Sequence, residues 1–333
     1  MIKSVHYQNF KSIRNATLPL GRFTLIVGAN SSGKSTAMEA FDFVRQRTAS
    51  AFERLISVEL RNSKEAEVSV RMIWCGDGIE FEGGFQIEKQ GSTLYVKPVN
   101  ETSVYFIDLN EVLMGFRIFA FDADKLSTPV DTNPNPELGS DGSNLAAVLD
   151  ALRDSHPEKF EELNEEFHRC LPEFDRILFR TPTRGKKAFM VRSTVGQYVF
   201  NAADLSQGVL FTLAFLTLAY LPKPPSLVCF EEPDRGIHPR LLVDIRDAMY
   251  RLAFPENYGE MRDPVQVIAT THSPYLLDLY KEHPEQIVIA HKNEQGTQFE
   301  RLSDQPHLSE ILEGAPLGEV WYSGVLGGVP STP

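Results

Sequence analysis

The sequence predicts an α/β protein built on a doubly wound parallel sheet, with antiparallel and helical material inserted into it. Three observations carry that prediction. Residues 23–27 (FTLIV) form a continuous apolar run, suited to a strand buried on both faces, that leads directly into a glycine-rich turn and a helical pattern. From residue 226 to residue 290, short apolar strands again alternate with helical segments. Between these two ends, residues 57–97 alternate apolar and polar positions in a way that no helical period fits.

Taken in order, residues 2–7 and 23–27 read as strands. Residues 34–47 read as a helix in which Met38, Phe41 and Val44 recur at helical spacing. AEVSVRMIW and GIEFEGGFQIEK, punctuated by GDG and GG, predict antiparallel strands joined by tight turns. The Pro, Asn, Asp and Gly of residues 127–142 mark a long loop. Two amphipathic helices are expected next, at 144–153 with Ser143 as its cap and at 157–171 opening on Pro157. After further short strands come a strand at 226–230 and a helix at 239–252, with Leu241, Leu242, Ile245, Met249 and Leu252 on one face. A strand at 265–270, a helix opened by Ser273-Pro274 and a strand at 286–290 complete the pattern. This order suggests a single domain over 1–333. Its core comes from 1–56 and 200–333, an antiparallel β-subdomain from 57–126, and a helical lobe from 143–199.

A formal charge of −12 argues against broad electrostatic attraction to nucleic acid. Arg176, Arg180, Arg184, Lys186, Lys187 and Arg192 still make a local basic cluster. It reads either as a solvated loop or as a phosphate-backbone contact. Cys75, Cys170 and Cys229 form no CxxC pair, as expected of reduced thiols in a cytoplasmic protein. The polar N-terminus carries no secretory pattern, and the apolar run at 210–221 falls short of the ~20 residues that cross a bilayer. It predicts a buried core helix, and no membrane partner is expected.

Residues 28–35 (GANSSGKS) match the phosphate-cradling pattern GxxxxGK[ST]. Gly28 and Gly33 permit backbone conformations that a Cβ would obstruct, and the turn aims successive N–H groups at phosphate oxygens. Asn30, Ser31, Ser32 and Thr36 complete the cradle. Lys34 adds positive charge, and Ser35 is placed to ligate Mg²⁺. ATP and Mg²⁺ are the expected cofactors. SLVCFEEP offers Glu231 at the metal and Glu232 as the general base for hydrolysis, against the plainer reading of a solvated acidic pair. ATTHSPYLL sets His272 after another apolar strand, within reach of a γ-phosphate unless it is structural. In DLSQG, Ser206 and Gly208 either simply start a helix or make an anion site at its N-terminus.

NFKSIRN, GANSSGKST, DLSQGVL, LVCFEEPDRGIHP and TTHSPYLL, in this order, resemble the motifs of ABC-type ATPase heads of the RecF/SMC group, above all the compact bacterial AAA-like ATPases. The resemblance implies a P-loop NTPase with an ABC-type head: a mixed central sheet, an antiparallel β-subdomain and a small helical lobe. It implies ATP hydrolysis and a homodimer that sandwiches two ATP molecules. Ser206 and Gly208 of one copy would then meet the γ-phosphate held by Lys34 of the other. The sequence departs from the family pattern in LSQGV and in carrying Glu231 at the metal-side acidic position. His238 falls in the dimer-contacting loop, and Gln86 is the candidate for the glutamine that faces the metal. The helical stretch is too short for a long coiled coil, and about sixty residues after His272 leave little room for an appended nuclease. The expected function is an ATP-driven dimerisation switch acting on DNA or on a partner effector, in DNA repair or phage defence. The alternatives are a transporter's nucleotide-binding subunit, which NFKSIRN, GIHP and THSP disfavour, and a scaffold that binds ATP without hydrolysing it.

Overall fold

A computed structural model of the chain describes residues 1–46, 65–76, 79–90, 93–98, 115–133, 136–294, 296–312 and 315–327, with backbone alone at 46, 65–66, 76, 79–90 and 93–98. In chain order the strands are β1 (Ile2–Phe10), β2 (Ile13–Pro19), β3 (Phe23–Val27), β4 (Glu65–Gly76), β5 (Ile79–Gln90), β6 (Thr93–Pro98), β7 (Phe116–Phe119) and β8 (Val130–Asp131). There follow β9 (Phe174–Arg180), β10 (Lys186–Ser193), β11 (Val199–Asn201), β12 (Leu227–Phe230), β13 (Gln266–Thr271), β14 (Ile287–Asn293) and β15 (Gly296–Arg301). The chain divides into two compact units. One comprises Met1–Ile118, Ser226–Glu231 and Gln266–Pro333, and the other Phe119–Pro225 and Glu232–Val265.

In the first unit, a six-stranded sheet runs β15-β14-β3-β13-β12-β7. Its inner strands β14, β3, β13 and β12 are mutually parallel, and β15 pairs antiparallel with β14, which makes the sheet mixed. Every residue of β3, β12 and β13 is buried, which accounts for the apolar runs of β3 and β12 and the apolar centre of β13, flanked by buried Gln266, Thr270 and Thr271. A five-stranded antiparallel sheet runs β2-β1-β4-β5-β6, so the described part of the alternating segment joins the N-terminal hairpin through the pairing of β4 with β1, while residues 57–64 lie outside the described residues. β1 extends three residues beyond the expected 2–7, and its buried Tyr7 and Phe10 join Phe41 of the helix Lys34–Gln46 in one core with Val68, Val70 and Met72 of β4. Buried Gln266 stitches the N-terminus to the main sheet. Its Nε2 donates to the carbonyls of Ile2 and Gly21, at 2.7 and 2.8 Å, and its Oε1 accepts from the Ile2 N–H at 2.9 Å.

The β14–β15 hairpin goes beyond the expected strand at 286–290. Only Ile287–Ala290 are apolar, whereas the rest of the hairpin is largely polar and held by pairing. It docks on the start of β2, where Arg14 Nη1 donates to Glu294 O at 2.9 Å and Gln298 Nε2 donates to Asn15 O at 3.2 Å.

The second unit holds β8–β11 and the helices Leu145–Ser155, Pro157–Cys170, Gln207–Tyr220 and Leu242–Ala253. Every residue from Val209 to Tyr220 is buried, as the apolar run predicts. The first of these helices takes Asn144 rather than Ser143 at its cap position. The Ser143 N–H is instead held by Asp141 at 3.0 Å, and Asn144 Oδ1 turns back to the Gly139 N–H at 2.7 Å. Pro157 opens the second helix as expected. Among the described residues, no helix is long and apolar enough to cross a membrane.

Candidate nucleotide site

β3 ends at Val27, and the helix Lys34–Gln46 begins seven residues later, so residues 28–33 must turn sharply at the sheet's carboxyl edge. Ser31 and Gly33 take positive φ, 64° and 102°, the local twist that gathers N–H groups into an anion-binding nest. Gly28 is required by space, since a Cβ there would lie 2.2 Å from the Ala290 carbonyl oxygen. Lys34 is only 6% exposed. Its Nζ donates to the carbonyls of Gly28 and Ala29, both at 2.9 Å, and so lies folded over the loop. Ser32 is 2% exposed, and its Oγ has no hydrogen-bond partner among the described residues. A buried orphan hydroxyl costs about 1–3 kcal/mol, and phosphate oxygens are the acceptors such a nest gathers. The loop therefore fits a phosphate group. Asn30 and Ser35 are exposed and Thr36 half-buried at its mouth.

The neighbouring strands bring two more predicted residues to this edge. β13 lies beside β3 with Thr271 opposite Val27, so His272 and Gly28 leave adjacent strands at the same level. β12 lies one strand further, with Phe230 opposite Ala269, and Glu231 follows it. At about 4.8 Å per strand and about 3.3 Å per residue, Glu231 leaves the sheet two strands across and two residues short of Gly28, about 12 Å from the loop's root. Burial, and then the Glu231 charge, push the Cys229 thiol well above its ordinary pKa. His272 is half-buried, and the helix Pro274–Asp278 behind it is capped by Ser273, whose Oγ accepts from the Leu276 N–H at 3.3 Å. A contact with no sequence signal braces that helix: the Gly318 N–H donates to Asp278 Oδ1 at 2.6 Å.

The remaining candidates, apart from Gln86 in the first unit, lie in the second unit. Glu232 follows Glu231 in the chain and takes φ 46°, a left-handed conformation that costs a non-glycine residue about 1–3 kcal/mol. Strain of this kind concentrates at functional positions. The turn is closed by the Arg235 N–H on the Glu232 carbonyl at 2.9 Å, and it ends at exposed His238, whose Nδ1 accepts from the Arg240 N–H at 3.2 Å. Ser206 is exposed and caps the helix Gln207–Tyr220, accepting from the Val209 N–H at 3.4 Å, with Gly208 half-buried in its first turn. Gly236 of the glutamate turn takes φ 70° against the Gln207 side chain, whose amide would lie 2.5 Å from a Cβ at that position. Gln86 sits on β5 opposite Ser69, and its side chain lies outside the described residues.

The basic cluster proves to be largely neutralised. Arg176 pairs with Glu161, Lys186 with Asp131, Lys187 with Asp150 and Arg192 with Asp175. These pairings were not legible in sequence, because three of the four carboxylates, Glu161, Asp131 and Asp150, come from outside β9 and β10.

The sequence matches the family model described as "AAA domain, putative AbiEii toxin, Type IV TA system" over residues 23–278. In fold it is similar to the SmcHead crystallised bound to the C-winged helix domain of ScpA, with a TM-score of 0.62, 17% identity, and 90% of this chain and 96% of that one covered. The SMC head domain from Thermotoga maritima gives 0.52 at 15% identity, covering 90% and 98%. The Smc head domain with a coiled coil and joint derived from Pyrococcus yayanosii gives 0.52 at 13%, covering 94% and 99%. At these identities the likeness is one of fold. No similarity to a curated protein was found.

Proposed function

Because this chain belongs to the AAA-domain family matched over residues 23–278 and has the fold of an SMC head, we propose that it is an ATP-dependent molecular switch. The observation that carries the proposal is the phosphate loop, with its orphaned Ser32 hydroxyl, at the edge where His272 and Glu231 leave the next two parallel strands. Gly28 to Thr36 would hold the phosphates, and Lys34 would exchange its two loop carbonyls for phosphate oxygens. Ser35 and Glu231, with Gln86 as a further candidate, would hold Mg²⁺, which when bound neutralises charge on the phosphate oxygens. Glu232 would take the proton of the attacking water, and His272 would hydrogen-bond at the γ-phosphate.

Ser206 and Gly208 present an exposed helix start to a second copy, so a homodimer closing on two nucleotides is the proposed active form. An effector protein is favoured over DNA as the object of that closure, since four of the six basic residues already face carboxylates. The SmcHead relative was crystallised with a winged-helix partner, which supports a protein-docking role. The proposed setting is the cytoplasm. The test compares ATP turnover of the wild type with Glu232→Gln, where a loss of about 10²-fold or more is expected. Equal turnover would remove Glu232 from the mechanism.

A further inference from the structure

Both glycines that bound the phosphate loop are closed by one distant element. Gly28 abuts the Ala290 carbonyl of β14. A Cβ on Gly33 would lie 2.5 Å from Oγ1 and 2.7 Å from Cγ2 of Thr297 on β15. Thr297 is fully buried. Its N–H donates to Ser12 O at 3.3 Å, and its Oγ1 lies 3.4 Å from Ser12 Oγ. Lys11, the neighbour of Ser12, is ion-paired with Glu39 on the helix that follows the loop. Thr297 is thus wedged between the β1–β2 turn and Gly33.

A glycine at φ 102° has no conformational preference strong enough to hold itself there, so its geometry must be imposed from outside. A β-branched side chain, stiff at χ1, is suited to imposing it. We propose that Thr297 is a positioning residue for nucleotide binding, locking Gly33 so that the loop's N–H groups are preset for phosphate. This rests on reading residues 28–35 as a phosphate loop. It assigns the β14–β15 hairpin the task of bracing both ends of that loop. The contact is one of shape, made by both branches of the side chain, so a valine that keeps both should serve as well.

The test measures hydrogen exchange of the loop amides in the nucleotide-free protein, together with Kd for a fluorescent ATP analogue and kcat at saturating ATP. Thr297→Ala is expected to speed loop exchange and to weaken analogue binding, each by about ten-fold, with kcat within about two-fold of wild type. Thr297→Val should match the wild type in all three. Thr297→Ser, the milder truncation, should fall between and serves if the alanine variant does not fold. A truncated variant with wild-type loop exchange, whatever its melting temperature, overturns the proposal. If Lys34→Ala binds the analogue as tightly as wild type, the phosphate-loop reading fails instead, and loop exchange still decides whether Thr297 is a brace.

Discussion

Ser32 carries a hydroxyl into the phosphate loop without a partner among the described residues. Ser32→Ala should therefore leave the nucleotide-free protein as stable as before, or up to about 1 kcal/mol more stable, while weakening ATP binding. Thermal unfolding with and without ATP reads both effects, and a lower Tm in the absence of nucleotide would contradict the first. The loop's glycines and lysine were legible in sequence because phosphate binding demands those residue types at that spacing. Thr297 was not, because one threonine in a polar strand looks like any other until the fold sets it against Gly33. Ser143 misled for a related reason, since its neighbours Asp141 and Asn144 offer competing oxygens and the loop uses theirs.

At the scale of elements, the parallel strands were legible from their apolar runs, and so was the buried helix Gln207–Tyr220. β15 escaped notice because pairing with β14, rather than an apolar pattern, holds it in place. The contact between the glutamate turn and the helix Gln207–Tyr220 was invisible as well, because Gly236 and Gln207 lie far apart in the chain. Gly236→Ala imposes a left-handed conformation on a residue with a Cβ and displaces the end of the Gln207 side chain. Since that side chain is flexible, the expected cost is about 1 kcal/mol, accompanied by a fall in ATP turnover as the first turn around Ser206 shifts. Urea denaturation measures the cost. A loss above about 3 kcal/mol would mean that Gln207 cannot yield.

For the whole molecule, the mixed sheet and the SMC-head likeness agree with the motif order read from the sequence. The charge distribution was harder to read, because a net charge and a basic cluster do not reveal which carboxylates fold against that cluster. Four of the six cations of that cluster are paired, and this is what the proposal of a protein effector rests on. Closure itself is the central claim, and under the proposed mechanism Glu232→Gln would isolate it by allowing nucleotide binding while blocking hydrolysis. Light scattering on that variant should show the one-chain mass without nucleotide and the two-chain mass with ATP and Mg²⁺, with the shift abolished by a second substitution, Ser206→Arg. A one-chain mass under both conditions, at ATP concentrations shown to saturate the site, would contradict the account.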